Sequence, residues 1–326
     1  MIRMLTGEEV REALPMCQAI EVVKGALAQL STGRADVPLR AALNVVRHDG
    51  VTLFMPGYLS GDDAMAIKIV SVFSKNPDKG LPLIHALVVV VNAETGEPSA
   101  VMDGTYLTAL RTGAASGAGT DLLARDDARV AAIFGAGVQG RTQLEAVCAV
   151  RPIEEAWIYD IAPDRRETYA RDMGERIPVT VRVAASPAEA VARADVICTA
   201  TPSHRPVFDD SSVRPGTHIN AVGAYTPEMQ EIPTETVLRA KVVIDHHEAA
   251  LAEAGDLLIP MEQGLMSKDH IFAELGEVVA GIKPGRESPG EITLFKSVGV
   301  AVQDVAVASA VLEAADRIGL GTRLAL

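Results

Sequence analysis

Apolar residues Val10, Leu14, Ile20, Val23, Leu27 and Leu30 recur at roughly helical spacing, behind a Thr6/Glu9 pair with the signature of a capping box. A helical stretch ended by Gly33 is expected. From Leu39 onward the pattern changes to short β-rich runs at 42–46, 51–55, 64–72 and 84–91, separated by turn signals such as Asp49-Gly50 and Glu94-Thr95-Gly96-Glu97-Pro98. No helix follows each run, so this region predicts a mixed or antiparallel sheet.

After Tyr106 a small-residue helix runs through Arg111, Gly113, Ala115 and Gly117, and from Arg129 the rhythm becomes strand, helix, strand. Candidate strands at 130–134, 156–159, 179–183, 195–199, 218–222 and 242–244 predict a doubly wound parallel sheet. The stretch 297–315 is a long Ala/Val helix that returns to the first domain. The expected fold class is therefore α/β: a Rossmann-type doubly wound parallel sheet at 116–299, plus a discontinuous α+β domain made of 1–115 and 300–326.

Residues 130–134 run into Gly135-Ala136-Gly137-Val138-Gln139-Gly140, and a helix-compatible stretch follows. A glycine pattern alone is weak, but a strand before and a helix after supply the context that dinucleotide binding needs. Gly135 permits the tight turn, Gly137 lets the backbone approach the pyrophosphate, and Gly140 allows close helix–strand packing. The helix start, at Val138 and Gln139, offers unpaired N–H groups to the phosphates. Asp160 ends the second strand, where a carboxylate can bond ribose hydroxyls, which favours NAD(H); Arg165 and Arg166 keep a 2′-phosphate contact, and so NADP(H), open. Thr199 and Thr201 end the fourth strand and Val222 the fifth, at the edge where ligands bind in such sheets.

At 326 residues the chain has room for about two domains, taking ~150 residues each as a prior. Its net charge of −13 offers no diffuse attraction for polyanions, so nucleic acid is not an expected partner. Cys17, Cys148 and Cys198 lack metal or disulfide spacing and read as buried small hydrophobes; no metal is expected, and His85, His204, His246 and His247 show no ligand spacing. The opening residues lack the order of a signal peptide and the apolar run around Val88 is too short to span a bilayer, which leaves a cytoplasmic protein with no membrane partner as the expectation.

Three cations sit in apolar or small-residue surroundings: Arg40, Lys68 in Ala66-Ile67-Lys68-Ile69-Val70, and Arg111 in Leu110-Arg111-Thr112-Gly113. A lysine inside a β-like apolar run is costly to bury unless it meets an anion. An edge-strand lysine facing water, with two surface arginines, would fit the pattern equally well.

The chain resembles the ornithine cyclodeaminase and mu-crystallin family over nearly its whole length. The resemblance rests on Phe54-Met55-Pro56, Ala66-Ile67-Lys68, Met102-Asp103-Gly104, Leu110 to Gly113, Gly135 to Gly140, Asn220-Ala221-Val222-Gly223, Glu253-Ala254-Gly255-Asp256 and Ser297-Val298-Gly299. It implies a homodimer whose discontinuous domain binds substrate and dimerises, with Arg40, Lys68 and Arg111 holding a substrate carboxylate near the nicotinamide. Thr112 falls among the matched cofactor positions and Val298 among the substrate positions. Ornithine cyclodeamination is disfavoured, because Tyr225 and Leu53 stand where the cyclodeaminase carries carboxylates. The Gly-Ala-Tyr-Thr-Pro version resembles bacterial ketimine reductases. The resemblance thus implies reduction of a cyclic ketimine, 1-pyrroline-2-carboxylate or 1-piperideine-2-carboxylate, to the L-imino acid. The substrate is a small anionic imino or amino acid and the cofactor is NAD(H) or NADP(H). An alanine-dehydrogenase-like activity and a non-catalytic NADP(H)-dependent binding protein of mu-crystallin type are the alternatives. Lys68 would complete the anion pocket and help supply the proton for the ring nitrogen, whereas Tyr225 reads either as a hydroxyl donor or as a packed loop residue.

Overall fold

The first expected helix is divided by Pro15. A residue before proline is pushed out of the α region, and Leu14 accordingly takes an extended conformation between α1 (Gly7–Ala13) and α2 (Met16–Ser31). The Thr6/Glu9 capping box is present, with Thr6 N–H donating to Glu9 and Glu9 N–H to the Thr6 hydroxyl. Ahead of it lies β1 (Ile2–Leu5), too short to show a period in the sequence. Cys17 is exposed, against the expectation of a buried thiol, because it stands just off the α2 stripe of Ala19, Ile20, Val23, Ala26 and Leu27.

The computed structural model describes residues 1–325, which form two units: Met1–Arg111 with the chain from Val300 onward, and Thr112–Gly299. In the first unit β2 (Ala35–Asp36), β3 (Ala41–Val45), β4 (Gly50–Leu59), β5 (Ala64–Phe73), β6 (Ile84–Asn92) and β7 (Pro98–Asp103) join β1 in one sheet. Helix α3 (Gly104–Leu123) follows, and its residues 112–123 count with the second unit. The neighbouring strands from β4 to β7 are antiparallel, while β1 pairs parallel to β7. One face alternates inward, through Met55 and Leu59, Ala66 and Val70, Val88 and Val90, and Ala100 and Met102.

The second unit opens with β8 (Val130–Phe134), α4 (Val138–Val150), β9 (Glu155–Tyr159), α5 (Pro163–Arg176), β10 (Thr180–Val183), α6 (Pro187–Arg193), β11 (Val196–Thr199) and β12 (His218–Ala221). It continues through α7 (Thr234–Arg239), β13 (Lys241–Ile244), α8 (His247–Glu253), α9 (Gly255–Glu262), β14 (Ile271–Glu274), α10 (Leu275–Val279) and β15 (Thr293–Lys296). The strand order is β10-β9-β8-β11-β12-β15-β13-β14 and every pairing is parallel. This is a Rossmann-type sheet whose direction reverses between β8 and β11, the topological switch point where such folds bind ligands. β14 and β15 were not among the expected strands. The last of them, β15, slots between β12 and β13 as a four-residue run too short to carry a period.

The chain then returns to the first unit as α11 (Ala301–Ile318) and β16 (Thr322–Leu324), the latter pairing antiparallel to β1. Helix α11 lies against β4 and β5 and against α2. A Cβ at Gly57 would stand 3.0 Å from Val305 and 3.3 Å from Ala301, so glycine at that place is what lets helix and strand approach. Among the described residues no helix is long and apolar enough to cross a membrane.

Candidate active site

Lys68 occupies an inward position of β5, between Ala66 and Val70 on the face covered by α11. It is 1% exposed, and the strand is flanked on both sides by β4 and β6, so the edge-strand reading fails. Its Nζ lies 2.7 Å from Asp304 Oδ2. Arg111, buried on α3, donates from Nε to Asp304 Oδ1 at 3.0 Å and from Nη1 to Gln303 Oε1 at 2.8 Å. One carboxylate thus serves two buried cations. Burial together with the Arg111 charge lowers the Lys68 pKa to about 7; Asp304 pulls it upward, and Arg40, half-buried just before β3, adds to the downward push. The cluster carries more positive than negative charge, as a receptor for an anion should.

The sequence pattern did not mark Gln303 or Asp304. Both sit in the first turn of α11 inside an Ala/Val run, and the signal that could have exposed them is the unpaired charge of Lys68. A buried ammonium needs a counter-ion, and Asp304 is the carboxylate embedded in that apolar helix.

In the second unit Gly135 takes φ +102° and its N–H donates to Tyr159 O at 2.9 Å. A Cβ at Gly140 would come within 2.0 Å of Gly135 O, which is the close helix–strand contact the glycine pattern implies. A Cβ at Gly137 would meet nothing within 4 Å, and no side chain caps the helix that begins there. Val138 is exposed and Gln139 half-buried on the first turn. Asp160 accepts from Ala136 N at 2.8 Å and Ala162 N at 2.9 Å, tying the end of β9 to the glycine turn. An open, uncapped helix start beside an anchored carboxylate fits a dinucleotide: N–H groups for its phosphates and an acceptor for ribose hydroxyls. Arg166 is committed elsewhere, donating to Asp160 O and lying over the Tyr159 ring, while Arg165 is exposed.

The strand exits converge on Glu231, a residue without any motif in the sequence. Its buried carboxylate accepts from Thr199 Oγ1 (3.0 Å), Thr201 N (2.6 Å), Thr201 Oγ1 (2.8 Å), Gly223 N (2.7 Å) and Ala224 N (3.0 Å). Burial and the neighbouring Asp256 raise its pKa, with Lys296 and the Thr201 bonds pulling the other way. Asp256 in turn accepts from Glu231 N and Ile232 N and pairs with buried Lys296 at 2.8 Å; Lys296 also donates to Ala224 O. Val222 is half-buried and its N–H donates to Thr199 O. Val298 is buried and donates its N–H to Asp245 Oδ2, which also takes the Gly299 N–H and the Ser297 hydroxyl. Thr112 is buried in α3, its carbonyl accepting from Gln143. Tyr225 is 40% exposed. Among the described residues no group of three His, Cys, Asp or Glu side chains could hold a metal ion.

The model of the ornithine cyclodeaminase/mu-crystallin family matches residues 2–318. The chain belongs to that family. Among its relatives in the family, a delta(1)-pyrroline-2-carboxylate reductase from Bacillus cereus is 39% identical over 321 residues, covering 98% of each chain. The structure of Thermococcus litoralis delta(1)-pyrroline-2-carboxylate reductase in complex with NADH and L-proline superposes with a TM-score of 0.96 at 43% identity, covering 99% of this chain and 100% of that one. An archaeal alanine dehydrogenase dimer with bound NAD gives 0.93 at 38% identity, covering 100% and 99%. The match spans both the glycine turn with its anchored Asp160 and the Lys68–Asp304–Arg111 cluster.

Proposed function

We propose that this enzyme reduces the C=N bond of a cyclic ketimine, 1-pyrroline-2-carboxylate or 1-piperideine-2-carboxylate, to the L-imino acid, L-proline or L-pipecolate. The observation that carries the reading is the buried pairing of Lys68 and Arg111 on the single carboxylate of Asp304, with the Arg40 charge nearby. The substrate carboxylate bonds to Arg40 and Arg111, and charge-assisted bonds of about 1.5–3 kcal/mol each fix the ring's orientation. The bound reduced dinucleotide supplies the hydride for C2. Lys68 supplies the proton for the ring nitrogen, directly or through water, and is reprotonated from solvent. Val298 and Thr112 border the substrate and cofactor respectively. A surviving carboxylate at the Leu53 or Tyr225 positions would suit a diamine; neither is present.

NADH is the preferred cofactor, because the Asp160 carboxylate is fixed beside the glycine turn, Oδ2 accepting from Ala136 N and Oδ1 from Ala162 N, and Arg166 donates to Asp160 O. Oxidation of NADH and NADPH should be compared with 1-pyrroline-2-carboxylate, 1-piperideine-2-carboxylate, and pyruvate plus ammonia, with ammonia release from L-ornithine as a fourth arm. The cyclic ketimines should give the highest kcat/KM, with NADH favoured over NADPH. Faster turnover of pyruvate plus ammonia, or of ornithine, would replace this reading with an alanine-dehydrogenase or cyclodeaminase one; no turnover in any arm would leave a binding protein.

The cradle makes its own prediction. Gly140→Ala forces a Cβ against Gly135 O and should cost about 1–3 kcal/mol in stability, read as a lower Tm. Gly137→Ala, whose Cβ meets no protein atom within 4 Å, should leave Tm unchanged and weaken NADH binding, since it fills space needed by the pyrophosphate.

Leu39, Leu43, Val46, Leu81 and Leu83 are exposed on the first unit, an apolar set that supports a homodimer, testable as a solution mass near twice 34.4 kDa. A cytoplasmic setting accords with the three free cysteines.

A further inference from the structure

We infer that Glu231 is a positioning residue that turns the β11 and β12 exits into an acceptor-only rim for the nicotinamide riboside half of the dinucleotide, with the Thr201 hydroxyl oxygen as the contact. The inference rests on the dinucleotide reading above and concerns the second unit alone.

Every backbone N–H along this rim is already engaged. That of Ala200 donates to Phe134 O at 2.9 Å and that of Val222 to Thr199 O at 3.0 Å. Those of Thr201, Gly223 and Ala224 donate to Glu231. Both threonine hydroxyl hydrogens go to the same carboxylate. A hydroxyl has one hydrogen and two acceptor lone pairs, so once Glu231 has taken the hydrogen only lone pairs remain to be offered. Thr199 is fully buried, whereas Thr201 is half-buried, so Thr201 is the one of the pair with a surface to present.

The geometry leaves little freedom in this arrangement. A Cβ at Gly223 would stand 2.4 Å from both Thr201 N and O and 2.5 Å from Glu231 Oε1, so the two exits are in contact through a glycine. The rim adjoins the nucleotide turn, because a Cβ at Gly135 would lie 3.2 Å from Thr201 Cγ2. The site is therefore polarised. Its α4 end offers N–H donors, and its β11/β12 end offers acceptors. A nicotinamide dinucleotide has the matching order: a pyrophosphate that only accepts, then ribose hydroxyls and a carboxamide –NH2 that donate. A rim with free N–H groups would instead have suited a phosphate or carboxylate there.

Thr201→Val removes the acceptor while keeping the shape and the Thr201 N–H bond, and Thr201→Ser retains the hydroxyl. Dissociation constants would be measured for NADH and for ADP, which lacks the whole nicotinamide riboside. Thr201→Val should weaken NADH by about three- to tenfold, the worth of one neutral hydrogen bond. ADP should bind as it does to the parent, and Thr201→Ser should restore NADH. Glu231→Gln, which points an amide donor at a shell of donors, should show the same selectivity with a larger NADH loss; if that variant does not fold, the threonine pair decides alone. The 3-acetylpyridine analogue of the dinucleotide has no carboxamide N–H. Insensitivity of that analogue to Thr201→Val assigns the contact to the carboxamide, and equal sensitivity assigns it to a ribose hydroxyl; both support the rim. Unchanged NADH affinity in Thr201→Val, or equal losses for NADH and ADP, overturns it. Failure of the parent protein to bind either ligand would instead overturn the dinucleotide reading itself.

Discussion

Lys68→Met lowers kcat for ketimine reduction by about two to three orders of magnitude, the range of a lost general acid, while NADH affinity stays within twofold of the parent. Methionine approximates the length of the buried lysine stem, so the inward face of β5 keeps its packing against α11 and the deficit reports chemistry. The pH profile gives the sharper signature. Burial and the two arginine charges lower the Lys68 pKa from 10.5 to about 7. As proton donor it must be charged, so activity is full below that pH and declines as pH rises through it, by about tenfold per unit. In the free enzyme this limb appears in kcat/KM. Steady-state rates from pH 5.5 to 9 would show the limb in the parent and its absence in Lys68→Met. Near-normal turnover of the variant, or a parent profile flat across this range, removes Lys68 from the reaction.

Asp304→Ala produces the largest expected loss of stability. Lys68 and Arg111 are both buried and both lean on this carboxylate, at 2.7 and 3.0 Å. Removing one partner of a buried ion pair leaves an uncompensated charge and typically costs about 3–5 kcal/mol. Thermal unfolding should show it as a Tm lower by roughly 10 °C. Asp304→Asn keeps an oxygen for Arg111 Nε but not the negative charge. It should fold better than the alanine variant, and without the anion Lys68 gives up its proton more readily, so the alkaline limb moves to lower pH. A Tm for Asp304→Ala within 2 °C of the parent would show that the pair contributes little, and an unmoved limb in Asp304→Asn would show that Asp304 does not govern Lys68.

Much of this architecture is legible in the amino-acid order because local chemistry fixes it. The glycine turn, its strand and its helix each follow from neighbouring residues, and so does Asp160 at the end of the next strand. The same holds for the alternation of β5, which exposes Lys68 as an oddity. What is hidden depends on residues far apart in the chain. Asp304 is 193 positions from Arg111 and reads as one polar residue in an apolar helix. Glu231 sits in no pattern at all, and its role emerges only when two strand exits and Asp256 fold around it. Short elements such as β1, β14 and β15 carry too few residues to establish a period, and Pro15 divided a stripe that looked continuous. Cys17 shows the same limit from the other side, since a single position on α2 separates the buried stripe from water.

The slotting of β15 between β12 and β13 bears on how the protein is made. Until residue 296 has left the ribosome, β12 has a bare edge and β13 has no neighbour to join it to the rest of the sheet. The first unit waits longer still, because α11 and β16 are synthesised after the whole of the second unit. A nascent chain halted before these segments holds an unprotected strand edge and an uncovered apolar sheet face, the surfaces on which newly made chains stick to one another. Neither unit can therefore close before residue 296 has been made, and products stalled or truncated ahead of it should demand chaperones far more than chains carrying these segments do.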